Sequence, residues 1–126
     1  MKILNHIAIE VTDKNQAEIF FTKILNIPKI GSFTISSKLC KDIFGISKKI
    51  EIRIFANDDI KLEVFTTHKK APHSYSHICL NVKNKKNIID KCKKYGIIPN
   101  IVKKDDRELL FIKDFSGNLF EIKEIS

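Results

Sequence analysis

The sequence predicts an α+β fold built from two βαβββ modules within one 126-residue chain. Three observations carry that expectation. The stretch His6-Ile-Ala-Ile-Glu-Val11 recurs 71 residues later as His77-Ile-Cys-Leu-Asn-Val82, and Lys14/Lys85 and Pro28/Pro99 keep the same offset. In each copy one parity is wholly apolar (Ile7, Ile9, Val11; Ile78, Leu80, Val82) and the other carries the histidine, the alternation of a half-buried strand. Each strand is followed by a single helical stripe and then by three more strand-like stretches, so the repeat is one supersecondary unit per copy.

The elements follow in order. The first strand covers Ile3 to Val11. Asp13 and Gln16 form a capping box, and Ala17, Phe20, Phe21, Ile24 and Leu25 make one apolar stripe at helical spacing. Asn26 is a left-handed stop, and Pro28 forbids continuation. A strand over Ile30–Ile35 leads to a stretch, Ser37 to Phe44, that reads as a short helix or ordered loop closed by Gly45. Lys49–Phe55 and Ile60–Phe65 alternate around the turn Asn57-Asp58-Asp59 and form a hairpin.

The polar stretch 67–73 is the linker between module one (1–66) and module two (74–126). Module two then starts over: a strand from Ser76 to Val82, a helix from Lys85 to Tyr95 with the stripe Ile88, Ile89, Cys92 and Tyr95, a stop at Gly96, and strands over Ile101–Lys103, Glu108–Lys113 and Leu119–Ile125. Module one is longer through Ser32 to Lys48, an insertion able to form one wall of a pocket.

Composition narrows the function classes. The hydrophobic fraction of 43% and charged fraction of 30% are those of a soluble globular protein. No apolar run approaches the roughly 20 residues that span a bilayer, and the N-terminal residues have no signal-peptide shape, so a cytoplasmic protein is expected. Cys40, Cys79 and Cys92 are widely spaced, which argues against a disulfide framework or a zinc knuckle. Cys92 lies on a helix's apolar face, whereas Cys79 shares a face with His77. The net charge of +8 is carried mostly by scattered lysines with no interleaved aromatics, a pattern that does not read as a nucleic-acid surface.

The last strand of each module carries one glutamate on its less apolar parity: Glu63 in Leu-Glu-Val-Phe and Glu121 in Phe-Glu-Ile-Lys. His6, Glu63, His77 and Glu121 therefore occupy equivalent places in the two halves, on the faces away from the helices. If the sheets curl around a shared cavity, the four converge. Two imidazoles and two carboxylates suit one divalent ion (Ni, Co, Zn, Mn or Fe) and leave positions open for a substrate. Arg53, by parity on the cavity face, and Arg107, just before a cavity strand, are candidates for holding a substrate anion. His68 and His73 lie in the linker and are expected to be exposed.

These features resemble the vicinal oxygen chelate superfamily, and within it the small glyoxalase I-type proteins. The resemblance covers essentially the whole chain. It rests on His6, Phe20-Phe21-Thr-Lys-Ile-Leu, Glu63, His77 and, most specifically, Asp114-Phe-Ser-Gly-Asn-Leu-Phe-Glu121, where Phe115 replaces the family's usual proline. It implies curved mixed sheets around a shared cavity with the helices outside. It also implies a small-molecule substrate, with no nucleic acid or membrane as partner, and a homodimer that builds each site within one chain or across two.

The His/Glu/His/Glu order is similar to the glyoxalase I ligand set. It implies a metal-dependent lyase or isomerase that moves a proton on an α-hydroxycarbonyl substrate such as a hemithioacetal, with Glu121 or Glu63 as the base and a thiol as cosubstrate. Two alternatives stay open. One is an epimerase of the methylmalonyl-CoA type, in which glutamine usually replaces Glu63. The other is a non-catalytic small-molecule binder of the bleomycin-resistance type.

Overall fold

The structure, a computed structural model, describes residues 1–125. Its strands are β1 (Ile7–Val11), β2 (Lys29–Ile35), β3 (Ile50–Ala56), β4 (Lys61–Thr66), β5 (Ile78–Val82), β6 (Asn100–Lys104), β7 (Arg107–Lys113) and β8 (Leu119–Glu124). Its helices are α1 (Lys14–Glu18), which runs directly into a π-helical segment (Ile19–Ile24), α2 (Ser37–Phe44) and α3 (Lys85–Lys94).

The strands form two four-stranded mixed sheets of matching order, β1-β4-β3-β2 and β5-β8-β7-β6. In each, the module's first strand runs parallel to its last, and the remaining pairs are antiparallel. The expected α+β architecture of two repeated modules is therefore the one observed.

Local chemistry explains the elements. The Asp13 carboxylate accepts the N–H groups of Asn15 and Gln16 at the start of α1. Ser36 caps α2 through the Leu39 N–H, and Asn84 caps α3 through the Asn87 N–H. Asn26 stops the first helix at φ 58°, and Gly45 ends α2 at φ 75°, the left-handed conformation that costs glycine nothing. The Leu25 N–H donates five residues back to the Phe20 carbonyl at 3.0 Å. That wider π turn lets the adjacent Phe20 and Phe21, together with Ile24, all bury completely.

One core serves both modules. Phe20 and Phe21 from the first helix meet Phe55 of β3 and Phe120 of β8, with ring centroids 5.1–6.1 Å apart. Leu62, Val64, Leu110, Ile112 and Ile122 pack in the same cluster, as do Ile88 and Cys92 of α3. Each buried aromatic or aliphatic side chain of this kind contributes about 1.5–3 kcal/mol. Burial pushes the Cys92 thiol up to about 11, in keeping with a packing role. Among the described residues no helix is long and apolar enough to cross a membrane.

The motif Asp114-Phe-Ser-Gly-Asn118 fastens the modules together. The Asp114 carboxylate accepts the N–H groups of Ser116 and Asn118 and the Asn118 side-chain amide, at 2.8–2.9 Å. The loop so shaped reaches module one. The Asn118 amide donates to the Glu10 carbonyl at 2.9 Å, the Thr12 N–H donates to the Ser116 hydroxyl at 2.8 Å, and the linker's Ala71 N–H donates to the Ser116 carbonyl at 2.8 Å. Gly117, at φ 92°, lies where a Cβ would come within 3.1 Å of the Ala71 carbonyl oxygen, so the linker's close passage requires glycine there.

Candidate metal centre

With the core claiming one face of each sheet, the other face presents the polar parity. In the first sheet, Ala8 pairs with Glu63 in the register of β1 and β4. His6, one residue ahead of β1, brings its Nε2 to 3.3 Å from the Glu63 Oε1. The second sheet repeats this: Cys79 pairs with Glu121, and the His77 Nε2 lies 3.7 Å from the Glu121 Oε1. The carboxylates are the more sheltered partners, with side chains 18% and 16% exposed, against 37% and 40% for the two imidazoles.

Hydrogen bonding fixes which ring nitrogen faces the carboxylate. The His77 Nδ1–H donates to the Tyr75 carbonyl at 2.9 Å, and the His6 Nδ1–H donates to the Asn5 amide oxygen at 2.8 Å. A carbonyl only accepts, so Nδ1 carries a hydrogen in each ring and Nε2 is the nitrogen left to face the carboxylate. In each pair Nε2 and a carboxylate oxygen then face one another across a gap that a shared cation, proton or metal ion, can bridge. Two ligand atoms on a common zinc-like ion at tetrahedral to octahedral angles lie roughly 3.0–3.4 Å apart. The first pair falls within that span and the second lies a few tenths of an ångström outside it, so His6 with Glu63 could chelate a divalent ion as they stand and His77 with Glu121 would have to close slightly.

Within one chain the two pairs do not meet. Among the described residues, no group of three or more histidine, cysteine or acidic side chains gathers closely enough to hold an ion. Each pair stands on its own sheet, as a candidate half-site. A cleft of about 710 Å³ is lined by both modules, from Ala8 and Glu10 of β1 to His77 and Phe111, with the linker's Lys69 and Lys70 along it. Of the four candidate ligands only His77 borders that cleft.

The other candidates fall in different places. Arg53 was expected on the cavity face, but it lies on the opposite one. It pairs with Val64, whose side chain is in the core, and reaches Glu18 and Glu51, each at 3.4 Å. The parity was inverted because the isoleucines of β3 do not face the main core. Ile54 pairs with Glu63 and Ile52 with Phe65, on the outward face. There α2 supplies a second apolar layer, with Phe44 stacked edge-on against Phe65 at 5.8 Å and Cys40 and Ile52 buried outside the main cluster. The insertion is thus the pocket wall that its length led one to expect.

Arg107 begins β7 on the parity of Phe111, which pairs with Glu121, but it is exposed at the hairpin tip. Four residues of strand place it about 13 Å from Phe111. His68 and His73 are exposed, as expected. Cys79 is exposed on the candidate face, and partial desolvation, then the Glu121 charge, push its thiol up from the ordinary value. Sequence reasoning missed the lysines beside the half-sites. Their clustering at 48–49 and 69–70 flanks the insertion and the linker, and that is the signal that could have singled them out.

Comparison with known proteins agrees with this architecture. The family model described as glyoxalase/bleomycin resistance protein/dioxygenase superfamily matches residues 5–109. No curated protein sequence matches the chain. Among solved structures, the genomically encoded fosfomycin resistance protein FosX from Listeria monocytogenes superposes with a TM-score of 0.76 at 17% identity, covering 100% of this chain and 95% of that one. A mutant of that protein complexed with Mn(II) and 1S,2S-dihydroxypropylphosphonic acid gives 0.76 at 18%, covering 98% and 92%. A glyoxalase family protein from Bacillus cereus gives 0.72 at 20%, covering 96% and 92%. At these identities the likeness is one of fold. With the family model spanning most of the sequence, the chain belongs to the glyoxalase/bleomycin resistance protein/dioxygenase superfamily.

Proposed function

We propose that this protein is a metal-dependent enzyme of glyoxalase I type, a lyase or isomerase that shifts a proton between adjacent carbons of an α-hydroxycarbonyl substrate. The observation that carries the reading is the pair of matched His–Glu contacts, His6 with Glu63 at 3.3 Å and His77 with Glu121 at 3.7 Å, each with Nε2 turned to the carboxylate. An acidic fourth donor at Glu63, where epimerases of the superfamily usually have glutamine, favours this chemistry over theirs.

The four side chains would hold one divalent ion (Ni, Co, Zn, Mn or Fe), His6 and Glu63 coming from one copy of the chain and His77 and Glu121 from a second. Such an ion, when bound, supplies the positive charge that stabilises a substrate oxygen as its neighbouring carbon loses a proton. The chain's own part is the proton. Glu63 or Glu121, sheltered beside its histidine, takes it from one carbon and returns it to the next, so substrate and product are isomers and no cosubstrate is consumed. A thiol would enter only as part of the adduct.

The homodimer is supported by apolar side chains left exposed beside each half-site. Ile3 and Leu4, just before His6, are 76% and 74% exposed, and Tyr75, just before His77, is fully exposed.

A second reading is metal-dependent chemistry on a small phosphonate, since one neighbour is a fosfomycin resistance protein complexed with Mn(II) and 1S,2S-dihydroxypropylphosphonic acid. The basic lining of the larger cleft, Lys69, Lys70 and Lys113, favours it. One set of measurements decides between them. The protein is purified without chelators, its metal content is determined, and it is loaded in turn with Ni, Co, Zn and Mn. It is then assayed for lactoyl-thiol formation from methylglyoxal hemithioacetals and for hydration of an epoxyphosphonate. Isomerisation is expected. A fully loaded protein that turns over no hemithioacetal of any thiol refutes the glyoxalase reading, and one that takes up no metal refutes both.

A further inference from the structure

The insertion that distinguishes module one builds a second cavity beside the His6–Glu63 pair. α2 stands over the outward face of the first sheet, and the cavity between them has a volume of about 430 Å³, within the range of small-ligand sites. Where helix and sheet meet, its wall is apolar: Cys40, Phe44, Ile46, Ile50 and Phe65. Phe44 and Ile46 remain 50% and 59% exposed, so the wall keeps apolar surface that none of the described residues covers. The rim is basic, with Lys48, Lys49 and Lys69 facing a single carboxylate, Glu10. None of these three lysines has an ion-pair partner among the described residues. One end reaches the candidate reaction site, because Ala8 lines the cavity and pairs with Glu63, which touches His6.

Wall and rim make opposite demands on a ligand. A small inorganic anion meets the lysines but leaves the aromatic wall wet. A neutral hydrocarbon covers the wall but gains nothing from the lysines. We infer that the site takes an organic anion with an aromatic or branched apolar body: the charged group, carboxylate, phosphate or sulfonate, at Lys48, Lys49 and Lys69, the apolar body against Phe44 and Phe65, and the reacting end toward Ala8. Module two has no counterpart of the insertion, since β6 passes to β7 through the short turn at Asp105-Asp106. The ligand is therefore gripped from one side only. The inference rests on the reading of His6 and Glu63 as half of the reaction site, and the cavity itself can be tested without it.

The test uses three probes that separate the two demands: 3-phenylpropanoate, 3-phenylpropanol and propanoate. Binding is measured by titration calorimetry on the metal-loaded protein and again after metal removal with EDTA. The phenylpropanoate is expected to bind about tenfold or more tightly than either partial probe, in both metal states. Its advantage over the alcohol should vanish in the triple variant Lys48→Ala, Lys49→Ala, Lys69→Ala, a surface change that leaves the core intact. Its advantage over propanoate should shrink in Phe44→Ser.

Equal binding of acid and alcohol would overturn the anionic part, and equal binding of the two acids would overturn the apolar part. Absence of binding in both metal states would overturn the whole. A protein that takes up no metal yet discriminates among the probes as expected would instead sink the metal reading and leave the cavity's assignment standing.

Discussion

Mixing two inactive variants tests whether the site is built across two copies of the chain. Each His–Glu pair sits on its own sheet, and no three ligand-type side chains gather within the described chain. If a site takes one half from each copy, a dimer of His6→Ala chains lacks an imidazole at both sites, and so does a dimer of His77→Ala chains. A mixed dimer is different. One of its sites lacks both histidines, but the other combines the intact His6–Glu63 half of the His77→Ala chain with the intact His77–Glu121 half of the His6→Ala chain.

Random reassortment of equal amounts makes half of all dimers mixed, and one of their two sites is whole. Recovery should therefore be about one quarter of the wild-type sites. The variants are dissociated together in mild denaturant and refolded by dilution. Tightly bound metal per chain and hemithioacetal turnover are then read against the unmixed variants treated alike. Mixing His6→Ala with Glu63→Gln, which damage the same half, should restore nothing. A His6→Ala/His77→Ala mixture that stays at the level of its components, while size measurements show mixed dimers present, would refute the cross-copy site.

Other outcomes follow from the same structure. Glu63→Gln and Glu121→Gln keep side-chain volume; the one that removes the base should lower kcat by about 10²–10⁴ while metal content is retained, and rate and metal assays on both variants identify it. Arg53→Ala should leave turnover and metal loading unchanged and affect only stability, because its partners are Glu18 and Glu51 on the helix side; a change in kcat would show that the face assignment is wrong. Asn118→Ala removes the donor to the Glu10 carbonyl and to Asp114, and should cost about 1–3 kcal/mol in urea unfolding.

Asp114 supplies the pH prediction. Burial, outweighing the bonds from Asn118, Ser116 and Gly117, raises its carboxyl above the ordinary value of 3.8. A native pKa raised above the unfolded one means that the folded protein takes up this proton first. Asp114's contribution is thus fully present below 3.8 and is lost as pH rises through the raised native value. Asp114→Asn, which forfeits the bond with the Asn118 amide, should therefore compare better with wild type at pH 7 than at pH 4 in thermal unfolding. The opposite ordering would show that the carboxylate's bonds dominate.

Much of the fold was legible in the sequence because it is written in local chemistry. Alternation marked the strands, Asp13 and Gly45 marked helix ends, and the 71-residue offset marked the repeat. The equivalence of His6 with His77 followed from the same offset, and that of Glu63 with Glu121 from their places on the last strand of each module, since strand position and parity are local properties. The π turn was not legible: it answers to the demand that adjacent phenylalanines share one core, which no short-range spacing encodes. The function of Asp114 to Asn118 as a fastening between modules was hidden for a similar reason, because its acceptor at Glu10 lies more than a hundred residues away.

The face of β3 turned on long-range packing as well. Alternation separates two sets of side chains but does not say which set meets the core; in β3 the isoleucine set faces α2, and Phe55, on the parity of Glu51 and Arg53, enters the core. Sheet register with Val64 and the cover provided by α2 decided it, and with it the removal of Arg53 from the cavity. The sequence by itself determined two modules, their caps and turns, and which donors are equivalent. Tertiary structure alone decided that the donors stay as two separate pairs within a chain, because each sheet spends its other face on the shared core and so holds its polar face apart from its twin.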